Sequence, residues 1–156
     1  MSRGGFGTKV HPVSDANQLP LAAVLTPGQR HESTQFETLM DAVRVPGRPR
    51  RRPRAVAGDK GYSYPQVRGW LRRRGIKAVI PRRSNQRPDD GRHRFDKPLY
   101  RKRAAVEQCA GWLKENRAVG TRFDKLAVQY LGMVHLAMIR RYLRALAAQT
   151  DSADGA

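Results

Sequence analysis

The chain has 156 residues, 39% of them hydrophobic, and carries 31 Lys+Arg against 13 Asp+Glu, a formal net charge of +18. That length suits one domain with a real core, and the excess of cations, 24 of them arginine, points to a polyanionic partner, nucleic acid ahead of membrane. One cysteine, Cys109, excludes an intramolecular disulfide and a cysteine-rich zinc site, and with neither a signal-peptide pattern nor an apolar run near the ~18 residues of a membrane span, a cytoplasmic location is expected.

A glycine-rich start, Gly4 to Gly7, leads into Thr8-Lys9-Val10-His11. A second apolar run follows over 19–25, and Ser14-Asp15-Ala16-Asn17 between the two has turn chemistry, so a β-hairpin is predicted. Asp15 reads as a turn residue and His11 as a structural one. Thr26-Pro27-Gly28 closes the hairpin. Thr34 and Glu37 have the spacing of a capping box and predict a helix from about Ser33, with Phe36, Leu39, Met40 and Val43 buried. The segment 48–54 (RPRRRPR) is a linker by its prolines and a phosphate-binding patch by its five arginines, Arg50, Arg51 and Arg52 among them.

Ala55-Val56-Ala57 predicts a short buried strand, with Gly58-Asp59-Lys60-Gly61 directly beyond it. Functional groups of α/β sheets gather just past the carboxyl ends of strands, which marks Asp59. Ser63 and Gln66 predict a second capped helix, through Val67, Trp70 and Leu71, ending at Gly75. Residues 77–80 read as the last strand. The polar, basic run 81–98 reads as a loop carrying Arg82, Arg83, Arg87, Arg92 and Arg94.

The stretch 100–114 (YRKRAAVEQCAGWLK) has no proline and strong helix formers, so one continuous helix is predicted. On it Tyr100, Arg103, Glu107 and Lys114 share an arc of about 60°, beside an apolar stripe of Leu99, Val106, Ala110 and Leu113. That places Glu107 on the shoulder of the buried face. Residues 121–124 are expected to begin a final helix of about 20 residues with two apolar sides, a core helix packed on the sheet or against a second subunit. Residues 150–156 read as a frayed tail.

The spacing Tyr-x2-Arg-x3-Glu-x6-Lys, met by Tyr100, Arg103, Glu107 and Lys114, resembles the signature of bacterial insertion-sequence transposases of the DDE type. Five further blocks resemble the same catalytic domain in the same order: SRGGFGTKVHPVSD, LPLAAVLTPGQRHESTQFE, AGDKGYS, IKAVIPRRSNQR and TRFDKLAVQYL. The resemblance implies an α/β, ribonuclease H-like mixed sheet flanked by helices over 1–149. It implies DNA transposition, in which carboxylates hold two Mg²⁺ ions that promote cutting and joining of phosphodiesters. Asp59 would be the second carboxylate and Glu107 the third. Lys114, Lys60, Arg103 and Tyr100 would meet DNA, Arg103 alternatively orienting Glu107. His31 is kept as a further candidate DNA contact. The implied partners are double-stranded DNA (transposon ends and target) and either a second copy or an upstream reading-frame product.

One departure stands out. The family's first aspartate lies on a strand upstream of the Gly-Gly hairpin, and here no acidic residue precedes Asp15. The chain is therefore expected to lack the family's first strand and first catalytic aspartate, and to be catalytically deficient alone, as a frameshift partner or a decayed remnant. The competing reading is a basic nucleic-acid-binding protein without chemistry, or an inhibitor of transposition.

Overall fold

A computed structural model describes residues 7–43, 53–86, 95–122 and 124–153. Strands β1 (Thr8–Ser14) and β2 (Pro20–Pro27) form the expected antiparallel hairpin, with Thr8 opposite Pro27 and an irregularity at Val13/Ser14. The turn is built on Asp15, whose Oδ1 accepts from the backbone N–H of Asn17 and of Leu19, both at 2.8 Å. His11 is buried, with Nε2 2.8 Å from the Thr26 hydroxyl, in keeping with a structural role.

A 3-10 turn (Glu32–Gln35) leads into helix α1 (Phe36–Ala42), which buries Phe36 and Leu39. The predicted capping box does not form. Thr34 instead donates its hydroxyl to the His31 carbonyl at 2.7 Å, and the tighter turn moves the helix start to Phe36. Strand β3 (Ala55–Ala57) pairs in parallel with β4 (Lys77–Val79), joined through helix α2 (Pro65–Arg73). Here too the capping box gives way. The Ser63 hydroxyl donates to Gln86 Oε1 at 2.7 Å, while Pro65 opens the helix where its missing N–H costs nothing. Gly75, at φ 59°, ends α2 as predicted, with the Ile76 N–H returning to the Leu71 carbonyl.

The predicted helix over 100–114 is two helices, α3 (Lys97–Arg101) and α4 (Ala104–Glu115). Asp96 caps α3 through the Leu99 N–H at 2.9 Å, which fixes an earlier start. After a short α5 (Arg117–Gly120), α6 (Ala127–Ala153) runs for 27 residues, longer than expected and helical through part of the predicted tail.

The fold is mixed α/β with small sheets flanked by helices. Among the described residues no strand joins β1 to β3, so the strands form two two-stranded sheets rather than one. One core packs Ala23 of the hairpin against Cys109 and Leu113 of α4 and Tyr130, Val134 and Ala137 of α6. A second packs Phe36 of α1 against Val67, Trp70 and Leu71 of α2, with Ile76 and Ile80 around β4. The side of α6 away from the core leaves Leu136, Ile139, Leu143 and Leu146 between 54% and 61% exposed.

Candidate active site and nucleic-acid surface

Asp59 follows β3 as its sequence position predicts. The Gly58 N–H extends the parallel ladder to the Val79 carbonyl, and the chain then leaves the sheet with Asp59 in an extended conformation. Asp59 Oδ1 accepts from the Gly61 N–H at 2.7 Å and so caps the 3-10 turn Lys60–Tyr62. The local turn thus takes one carboxylate oxygen. Lys60 is exposed, and its carbonyl accepts from Arg83 Nε at 3.1 Å.

Tyr100, Arg103 and Glu107 come together. Arg103 donates to Glu107 Oε1 at 2.8 Å, and its guanidinium lies 5.6 Å from the centre of the Tyr100 ring, which itself leans on Phe95. The exposed pair contributes about 0.3–0.5 kcal/mol, enough to orient the carboxylate but little more. Glu107 does not sit on the shoulder of the buried face. The helix is broken at Lys102–Arg103, and α4 buries Ala105, Cys109 and Leu113, the last two packed against Ala23 of the hairpin and Tyr130, Val134 and Ala137 of α6. Glu107 therefore points nearly opposite, about 160° from Cys109, with a side chain 60% exposed.

Lys114 lies two turns beyond Glu107 on the same stripe, at the wall of a groove of about 490 Å³. The groove runs along β1 and is also lined by Thr8, Lys9, Val10, Arg122 and Tyr130. Arg122 donates to the Thr8 hydroxyl and lies over the Tyr130 ring at 5.0 Å, while the Tyr130 hydroxyl donates to the Val119 carbonyl. Burial pushes the Tyr130 phenol above its usual value, so it remains a neutral donor. Sequence reasoning gives Arg122 no role; its contact with Thr8 spans most of the chain and has no local signature.

His31 is held by Ser33 and by the Tyr64 hydroxyl, at 3.1 and 3.2 Å. Arg50, Arg51 and Arg52 lie outside the described residues. Carboxylate oxygens suit Mg²⁺. Yet among the described residues no three His, Cys, Asp or Glu side chains gather as a metal-binding group, although the contact described for each of Asp59 and Glu107 takes a single carboxylate oxygen and leaves acceptor capacity over. By themselves the described residues do not fit a two-metal site.

The family model of the transposase DDE domain matches residues 2–140. The chain belongs to the DDE transposase family. Among curated proteins, this DDE transposase chain is 38% identical over 126 residues to one assigned as the transposase for insertion sequence element IS402 of Burkholderia cepacia. That match covers 78% of the chain but 56% of the relative, so the chain spans just over half the relative's length. A protein assigned as the transposase for insertion sequence element IS6501 of Brucella ovis is 30% identical over 142 residues, covering 88% of the chain and 98% of that relative. No solved structure matches the chain. In this DDE transposase chain the signature residues Tyr100, Arg103 and Glu107 are contiguous in space, and Lys114 continues their line toward the β1 groove.

Proposed function

We propose that the chain is the C-terminal part of a ribonuclease H-like DDE catalytic domain, over 1–149, acting in DNA transposition at insertion-sequence ends. Asp59 and Glu107 are two of its catalytic carboxylates. A third carboxylate, which the resemblance places on a strand upstream of the Gly-Gly hairpin, completes the set; Asp59 and Glu107 without it are catalytically deficient, and Mg²⁺ is bound productively only once the third is present. Lys60, Tyr100, Arg103, Lys114 and the 50–52 arginines hold double-stranded DNA by its phosphates. Arg103 also positions Glu107. The observation that carries this reading is the Tyr100–Arg103–Glu107 contact chain, which runs from α3 across the break onto α4, with Lys114 two turns further along the same stripe.

A second reading, a DNA-binding chain that blocks transposition without cutting, is favoured by one fact: among the described residues no three His, Cys, Asp or Glu side chains gather as a metal-binding group. Joining the upstream segment that the resemblance calls for separates the two. The proposal expects Mg²⁺-dependent cleavage of insertion-sequence-end DNA by the joined protein, lost by 10²-fold or more in Asp59→Ala and in Glu107→Ala, on the order expected when a residue of a catalytic unit is removed. A joined protein that keeps cleaving after either change overturns the site assignment. One that binds DNA and never cleaves supports the second reading.

A further inference from the structure

On the other shoulder of α4 from Lys114, three arginines of α6 gather at Trp112. The Arg141 guanidinium lies 4.3 Å from the centre of the Trp112 ring and that of Arg144 5.5 Å. Arg140 donates to Asn116 Oδ1 at 2.8 Å, and Asn116 is itself fixed by donating to the carbonyls of Trp112 and Leu113. These contacts orient the guanidiniums without neutralising them. No carboxylate forms an ion pair with any of the three among the described residues, and Arg141 Nε is buried with no hydrogen-bond partner. They border a pocket of about 90 Å³, roughly three times a water's share of the liquid. Cys109 lies at that pocket, and burial pushes its thiol to about 11, so it adds no negative charge there. Glu115 is the acidic residue lining it.

An arginine held over an indole by its cation–π contact has already lost rotamer freedom while its N–H donors remain available, as bidentate binding of a phosphate requires. We infer that Arg140, Arg141, Arg144 and Trp112 form a preorganised clamp for a DNA backbone phosphate, a contact surface separate from the Glu107–Lys114 stripe. The inference deepens the DNA-binding part of the proposed function and can fail independently of it.

The test is the salt dependence of duplex DNA binding by the full chain. Each phosphate contact contributes about 0.9 to the slope of log K against log salt. Arg141→Gln/Arg144→Gln should lower that slope by about 1, whereas Arg72→Gln/Arg73→Gln, an equal loss of formal charge at two exposed residues of α2, should leave it nearly unchanged. Equal drops for both pairs, or no drop in a folded α6 variant, overturn the clamp. Should the α6 variant fail to fold, Glu115→Gln decides: it should tighten binding about five-fold by removing a repelling charge at the pocket. The exposed Asp41→Asn on α1 serves as its control. Binding that changes alike in both acidic variants overturns the clamp. Cleavage by the joined protein is a separate readout, so its loss with the slope change intact sinks the transposase site and not the clamp.

Discussion

At the scale of single residues, Asp15 makes the clearest statement. Its carboxylate accepts two backbone N–H groups and its own N–H donates to the Leu19 carbonyl at 3.0 Å, so one side chain closes the whole turn. Asp15→Ala should cost about 1–2 kcal/mol, read as a lower urea midpoint with an unchanged m-value. An unchanged midpoint would mean the turn holds without it. This role was legible in the sequence because turn chemistry is local, as was the position of Asp59 just beyond β3. The direction of Glu107 was not. Which face of α4 is buried is decided by the packing of Cys109 and Leu113 against the hairpin and α6, contacts distant in sequence that leave no mark in the residues around Glu107.

Among the elements, the join between α4 and α5 sets how Lys114 is presented. A Cβ at Gly120 would lie 2.5 Å from the Lys114 carbonyl oxygen, so only glycine allows the chain to turn back so closely. Gly120→Ala should destabilise by about 1–3 kcal/mol through the forced shift, measured by thermal or urea unfolding. Unaltered stability would place the close approach outside the folded state. Helix α3 carries a pH dependence of known sign. Asp96 Oδ2 pairs with Lys77 Nζ at 2.6 Å, and that hydrogen bond, with the one from the Leu99 N–H, holds the carboxyl below its ordinary 3.8. A depressed folded value means the stabilisation is present above about pH 4 and is lost as pH falls through the folded value. Amide protection over Lys97–Arg101 should therefore fall below pH 4, and Asp96→Asn should weaken that dependence. Equal protection at both ends of the range would remove Asp96 from the account. The two capping-box predictions failed for a related reason. Thr34 and Ser63 found nearer or tertiary partners, His31 and Gln86, and only the second of these lies far away in sequence.

For the molecule as a whole, family membership was readable from ordered blocks of residues, while the way the strands assemble was not. Among the described residues β1 and β3 each pair on one side only, and strand pairing between segments distant in sequence leaves no periodic mark. The charge of +18 was plain from composition, but its focusing at Trp112 depends on α4 and α6 packing together through Cys109, Leu113, Val134 and Ala137. The central claim is that Asp59, leaving one sheet, and Glu107, on the crest of α4, serve one metal site once the domain is complete. The most direct measurement loads the joined, cleavage-competent protein with Fe²⁺ in place of Mg²⁺, generates hydroxyl radicals with ascorbate and peroxide, and maps the backbone cuts. The account predicts cuts beside both 59 and 107, competed away by Mg²⁺; cuts at one position alone, or at neither, would contradict it.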